Sequence, residues 1–217
     1  MPHQLSTATR FSADQFAPSL VSTGPAQFID PSIRRSAVAT LPRSHTVKCI
    51  EARARSLQGW GRRGPRSQGW ALFGGTAYSG EAQGQGPDLA DEGLMLERLK
   101  IQKYGPGGHY THHYDWQGAG KVDRVSSFMV YVDANCTGGG TGFPRLAKPA
   151  SRNWCNWIEC AGDREQEGVI FKPVRGNAVF WENLRADGTG YAETWHAGLP
   201  VETGTKIGLN IWSWYRF

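Results

Sequence analysis

In the run HYTHHYDW, His113 and Asp115 stand two residues apart. On an extended backbone, side chains at that spacing share a face. An imidazole and a carboxylate there make a ready chelate for a metal ion, with Tyr114 turned away. The pair alone says little, because short motifs arise by chance and most histidines are surface or hydrogen-bonded residues. A third donor must come from farther along the chain, and His196, in TWHAGLPVETGTK, is the strongest candidate. Two imidazoles and one carboxylate on one side of an iron leave three coordination positions open. An oxygenase needs that opening, since co-substrate and oxygen must meet at one ion. A zinc hydrolase could use the same donors. No residue stands out as a catalytic nucleophile.

Lys206 lies ten residues after His196, in TKIGLNIWSWY. Strand alternation places Lys206, Gly208, Asn210 and Trp212 on one face and Ile207, Leu209 and Ile211 on the other. A lysine facing the same interior as metal donors would be an isolated buried charge, which is costly without a counter-ion. A dicarboxylate co-substrate would supply one, and Tyr104 and Thr141 can add hydroxyl hydrogen bonds to it. Taken singly, Lys206 reads as a solvated strand lysine; its weight comes from the combination.

The elements that must position these groups are mainly strands. Stretches 98–104, 125–133, 169–173, 178–181 and 205–217 are rich in β-branched and aromatic residues with partial alternation. Glycine-rich turns at 105–108, 138–142 and 187–190 separate them. An antiparallel double sheet or barrel follows. Ahead of it, a short strand is expected at 37–41. Ser44 then caps a helix on which Val47, Ile50, Ala54 and Leu57 recur at helical spacing, with Gly59 ending it. Residues 59–93 hold ten glycines and no periodicity, and read as a flexible insertion or an error in the gene structure. Residues 1–27 are expected to be a disordered start, with one catalytic domain over 28–217.

The net charge of +5 is uneven: residues 1–70 carry +7 and residues 71–217 carry −2. The stretch bearing the chemistry is therefore slightly acidic, which argues against nucleic acid as substrate. No apolar run reaches membrane-spanning length. The start shows no secretory signal, so an intracellular location is the default expectation. Cys155 and Cys160 are close enough to bridge in an oxidising compartment, while free thiols are equally compatible with the sequence.

Residues 98–212 resemble the catalytic domain of the prolyl 4-hydroxylase alpha-subunit family of 2-oxoglutarate/iron dioxygenases. The segments that carry the likeness are KYGPGGHYTHHYDW, RVSSFMVYVDANCTGGGTGFP, FKPVRGNAVFWENL and HAGLPVETGTKIGLNIW. Upstream, FIDPSIRRSAVATLPRSHTVKCIEARARSLQGW is similar to the family's lead-in strand and helix. The resemblance implies a double-stranded β-helix, or jelly-roll, with N-terminal flanking helix. It implies iron ligands at His113, Asp115 and His196, and Lys206 as partner of the distal 2-oxoglutarate carboxylate, assisted by Tyr104 and Thr141. Arg124 falls where the family has an arginine near the substrate, with a strand-end surface charge as the alternative. Trp212 falls on a pocket tryptophan, with a core role as the alternative. Two small departures, Gly140 in GGGT where GGET is commoner and Asn177 in place of an aspartate, touch no ligand position.

The implied cofactors are Fe(II), 2-oxoglutarate and oxygen, with ascorbate as reductant. The implied reaction is hydroxylation of a C–H bond, of a peptidyl proline or of a small molecule. Asp115 occupies the position that related halogenases leave vacant for chloride, so hydroxylation is favoured over halogenation. Nucleic-acid demethylases of this chemistry usually anchor 2-oxoglutarate with arginine, unlike Lys206. A binding protein inactivated by the insertion is the non-enzymatic alternative. Relatives in the endoplasmic reticulum keep that compartment open, and the sequence leaves the oligomeric state undetermined.

The insertion reading is testable. Closing a long loop costs entropy that grows only slowly with its length, so deleting residues 64–91 is expected to leave thermal stability equal or higher and 2-oxoglutarate turnover in place. If the segment is an active-site lid, the deletion will keep uncoupled turnover and lose its stimulation by substrate. Differential scanning fluorimetry and succinate assays on one variant separate the outcomes.

Overall fold

The computed structural model describes residues 15–23, 26–58, 94–118, 122–160 and 168–216. The glycine-rich segment 59–93 lies outside them, as do residues 1–14. Among the described residues there are fourteen strands and one α-helix. The strands before the helix are short: β1 (Ala17–Pro18), β2 (Val21–Thr23), β3 (Ala26–Phe28), β4 (Arg34–Arg35) and β5 (Ala37–Thr40). The helix α1 spans His45–Leu57. After it come β6 (Leu94–Leu96), β7 (Lys100–Tyr104), β8 (His109–His113), β9 (Val122–Gly138) and β10 (Thr141–Phe143). The last are β11 (Val169–Phe171), β12 (Ala178–Glu182), β13 (His196–Gly198) and β14 (Val201–Arg216).

Two antiparallel sheets build the jelly-roll. The larger runs β1-β5-β7-β14-β9-β12, with β6 also pairing β14, and the smaller runs β11-β10-β13-β8-β4. The spine is the long β9–β14 ladder, from Val201 opposite Gly138 to Arg216 opposite Val122. The outer face of the large sheet is apolar and packs on α1. Ile101, Phe128, Val132, Leu209 and Ile211 meet Val47 and Ala54 there, with Ile207 and Ile50 at the margin. Burying such side chains stabilises by about 1.5–3 kcal/mol each, which explains why this strand face, not propensity alone, holds the helix in place.

Ser44 caps α1 as its side chain predicts, accepting the Val47 N–H at 3.3 Å. The apolar stripe is shorter than its periodicity suggests, since Leu57 is 58% exposed. The helix closes at Gln58, whose N–H reaches the Ala54 carbonyl; Gly59, the expected terminator, lies outside the described residues. Arg55 donates to the Leu94 carbonyl at 2.9 Å. The two flanks of segment 59–93 are thus neighbours in space.

Three sequence expectations shift. Part of the start expected to be disordered is ordered, because Ala17–Pro18 pairs with β5 and Val21–Thr23 with β3. The glycines at 138–142 do not form one turn: Gly138 ends β9 and Thr141 opens β10. The donor-bearing strands β8 and β13 escape apolar pattern reading because polar and small residues dominate them. Cys155 and Cys160 are joined in a disulfide, whereas Cys49 and Cys136 are free. Among the described residues, no helix is long and apolar enough to cross a membrane.

Candidate metal centre

Antiparallel pairing of β8 with β13 places His196 directly opposite His113. Asp115 follows two residues past the end of β8. Its neighbour Trp116 is locked by an N–H to the Thr194 hydroxyl at 3.2 Å. A Cβ at Gly190 would sit 2.1 Å from the Trp116 ring, so only glycine admits that packing. The result is a cluster of His113, Asp115 and His196 whose donor atoms all lie within 4.8 Å of one another.

The hydrogen bonds behind the imidazoles decide which nitrogens are free. His113 Nδ1 lies 2.7 Å from the Thr111 carbonyl and His196 Nδ1 lies 2.8 Å from the Thr194 carbonyl. A carbonyl only accepts, so each Nδ1 holds a proton and donates it. In the neutral ring, Nε2 then presents a lone pair. These Nε2 atoms stand 3.7 Å and 3.9 Å from Asp115 Oδ1 and Oδ2, too far for a hydrogen bond. The donor set could hold a metal ion, with the imidazole tautomers already set by these carbonyls. Burial, reinforced by nearby His196, pulls His113 down to about 3, so it is neutral at physiological pH. Burial alone would raise Asp115; the imidazoles, the Arg124 guanidinium and the Ser127 hydrogen bond outweigh it and hold the carboxyl below its usual range. Rings fix the imidazoles in place: Tyr110 stacks on His113 at 3.7 Å, and Trp181 meets His196 edge-on at 4.8 Å.

The donors line a cavity between the two sheets, together with Tyr104, Tyr110, Thr141, Asn210 and Lys206. Lys206 is 1% exposed, and the alternation that turns it inward with Gly208 and Asn210 is as the sequence predicts. Its ammonium donates to the Gly139 carbonyl at 2.6 Å and lies 4.6 Å from the Tyr104 ring centre. No carboxylate pairs with it among the described residues. Burial accordingly lowers it to about 8. An anionic ligand would relieve that penalty. Thr141, across the cavity, shares a 2.7 Å hydrogen bond with Tyr131.

Arg124 and Trp212 do not line this cavity. Arg124 is held by Glu97 at 2.6 Å and sandwiched between the rings of Trp212 and Trp214, at 4.1 Å and 5.3 Å. The same guanidinium lies 3.4 Å from the Asp115 backbone carbonyl, to which it donates. Trp212 directs its indole N–H to Asp115 Oδ2 at 3.1 Å. Sequence reasoning missed Ser127, Tyr131 and Asn183. The odd-numbered face of β9, with Ser127, Met129 and Tyr131, was the available signal for the first two. Gly140 suits its place, because a Cβ there would come within 2.8 Å of Ile170.

Residues 99–214 match the family model described as the 2OG-Fe(II) oxygenase superfamily. Human prolyl 4-hydroxylase subunit alpha-1 is 30% identical over 125 residues, 54% of this chain and 20% of that protein. The match spans about a fifth of the length of that curated relative. Among solved structures, the viral collagen prolyl hydroxylase of Paramecium Bursaria Chlorella virus-1 in complex with 2OG aligns with a TM-score of 0.56 at 23% identity. That alignment covers 84% of this chain and 80% of the viral one. A Trichoplax adhaerens prolyl hydroxylase in complex with a hypoxia inducible factor oxygen degradation domain peptide fragment gives 0.56 at 12% identity, covering 99% and 76%. At these identities the structures speak for the shared fold alone.

Two outcomes are expected from this geometry. His113→Ala, Asp115→Ala and His196→Ala will each lose tightly bound divalent metal after dialysis, whereas His112→Ala will keep it, because exposed His112 only stacks on Trp195. Equal loss in His112→Ala would overturn the donor assignment. For Lys206, the folded group titrates below its ordinary value, so the free ammonium is present below pH 8 and vanishes above it. Affinity for a dicarboxylate is expected to be flat below about pH 8 and to fall as pH rises past it. Lys206→Ala should lose roughly a hundred-fold to a few thousand-fold in that affinity, abolish its pH dependence and retain metal. Calorimetry under nitrogen from pH 6.5 to 9.5 reads all three.

Proposed function

The chain belongs to the 2OG-Fe(II) oxygenase superfamily, and on that premise we propose that it hydroxylates a C–H bond, with peptidyl proline as the substrate class. The observation that carries the reading is a single cavity holding both a free three-donor cluster and an unpaired buried ammonium. In this reading His113, Asp115 and His196 hold Fe(II), and ascorbate is the reductant that keeps the iron active. When bound, the iron supplies the oxidation itself, coupling decarboxylation of 2-oxoglutarate to substrate hydroxylation.

The remaining work falls to the chain's own residues. Lys206 receives the distal carboxylate of 2-oxoglutarate, exchanging the Gly139 carbonyl for a charged partner or sharing its protons between the two. Burial pushes the Tyr131 phenol up, so it stays protonated. Donating that proton to Thr141 leaves the threonine O–H free to turn toward the same carboxylate. Tyr104, paired with Lys206 across β7 and β14, lines the anchor end. Phe143 and Trp181 pack against His196 and shield it from water.

Peptidyl proline is favoured over a small molecule by the prolyl 4-hydroxylase alpha subunits among the sequence relatives. The Cys155–Cys160 bond is compatible with an oxidising compartment. The test is aerobic incubation with Fe(II), 2-oxoglutarate and ascorbate, first alone and then with proline-rich peptides. Slow succinate formation is expected alone, and a 16 Da gain on proline with faster succinate is expected with a substrate peptide. Turnover stimulated only by small-molecule extracts would replace the peptide assignment. Tightly bound zinc with no succinate would favour a hydrolase.

A further inference from the structure

Asp115 has two oxygens, and the protein treats them differently. Oδ2 accepts the Ser127 hydroxyl at 2.7 Å and the Trp212 indole N–H at 3.1 Å, while Oδ1 faces His113 Nε2 and receives no hydrogen bond among the described residues. The two donors are cross-strand partners, since Trp212 of β14 sits directly opposite Ser127 of β9. Their joint aim is therefore set by the central ladder. The serine proton is itself directed. Asn183 Nδ2 donates to Ser127 Oγ at 3.0 Å, which occupies a serine lone pair and leaves its one O–H for Asp115. Both Ser127 and Asn183 are 0% exposed. The other end of the amide, Asn183 Oδ1, is buried without a partner among the described residues. The neighbouring Ser126 turns away, to Gln58.

We infer that Ser127, oriented by Asn183, and Trp212 form a clamp that confines Asp115 to coordination through Oδ1 alone. The inference rests on the metal reading above and concerns how that site keeps its capacity. With two imidazoles and one carboxylate oxygen, an octahedral iron has three open positions. A 2-oxo acid chelating such an ion would use two of them and leave one for dioxygen. A carboxylate binding through both oxygens would remove one and leave the set incomplete. Saturating Oδ2 with two neutral donors prevents this without adding a charge next to the ion. Ser127, Asn183 and Trp212 are thus positioning residues that act through Asp115.

The test uses Co(II)-loaded full-length protein, read by visible absorption, by oxygen-ligand count from X-ray absorption, and by 2-oxoglutarate titration under nitrogen. In Ser127→Ala, Co(II) affinity is expected within about threefold of the parent while 2-oxoglutarate affinity falls about tenfold or more. The Co(II) spectrum should shift with one added carboxylate oxygen. Trp212→Phe, which keeps an aromatic side chain and removes the N–H, should show the same split and carries the test if Ser127→Ala does not fold. A merely structural role predicts the reverse, weaker Co(II) with an unchanged spectrum once loaded. That result, or unchanged 2-oxoglutarate affinity, would overturn the clamp. Failure of the parent protein to bind Co(II) at all would instead remove the metal reading beneath it.

Discussion

The architecture depends on one ladder whose two faces obey opposite rules. Along β9 and β14, alternate residues point to α1 or to the opposite side of the sheet, where the cavity lies. The first set, including Phe128, Val132, Leu209 and Ile211, is apolar and closes a core. The second, including Ser127, Tyr131, Lys206 and Trp212, is polar or amphipathic and equally buried. A slip of one residue would exchange the sets, sending Lys206 into the helix interface and Leu209 into the cavity. Both faces being buried, such a slip is penalised twice, and the register is accordingly well specified. The positions of the anchor and of both Asp115 donors follow from it.

The cavity face holds the groups that folding favours least. Lys206 is buried opposite a backbone carbonyl instead of a carboxylate, and Asp115 is buried beside imidazoles whose protons point away from it. Positive and negative charge stand in one cavity without neutralising each other directly. Each is kept available by its own local donors or acceptors, and the apolar core on the other side of the same sheet offsets the cost. A metal and a dicarboxylate, bound together, would satisfy both ends.

The sandwich of Glu97, Arg124, Trp212 and Trp214 shows how far a local reading reaches. Arg124 resembled a substrate residue by its spacing, yet it is tied to Glu97 and stacked on two indoles. Its partners come from β14 and from the segment after β6, far away in sequence. Trp212, whose resemblance leaves pocket and core roles open, donates its indole N–H to Asp115. Thr141 was legible as a hydroxyl in the right place, but its link to Tyr131 was not.

Local chemistry in the sequence was enough to single out His113, Asp115 and His196 as candidate donors and to read the face of the lysine. The two-residue spacing of His113 and Asp115, the alternation around Lys206 and the Ser44 cap all depend on neighbours along the chain, where backbone period alone sets direction. What tertiary structure decided depends on contacts between distant strands. Only the β8–β13 register brings His196 opposite His113, and only the carbonyls of Thr111 and Thr194 assign the imidazole protons. Only the meeting of β9, β14 and the turn after β12 puts Ser127, Trp212 and Asn183 around one carboxylate. Hydrogen bonds are short and directional, so which atoms share them is decided by the final packing of the strands, which residue type and spacing along the chain do not encode.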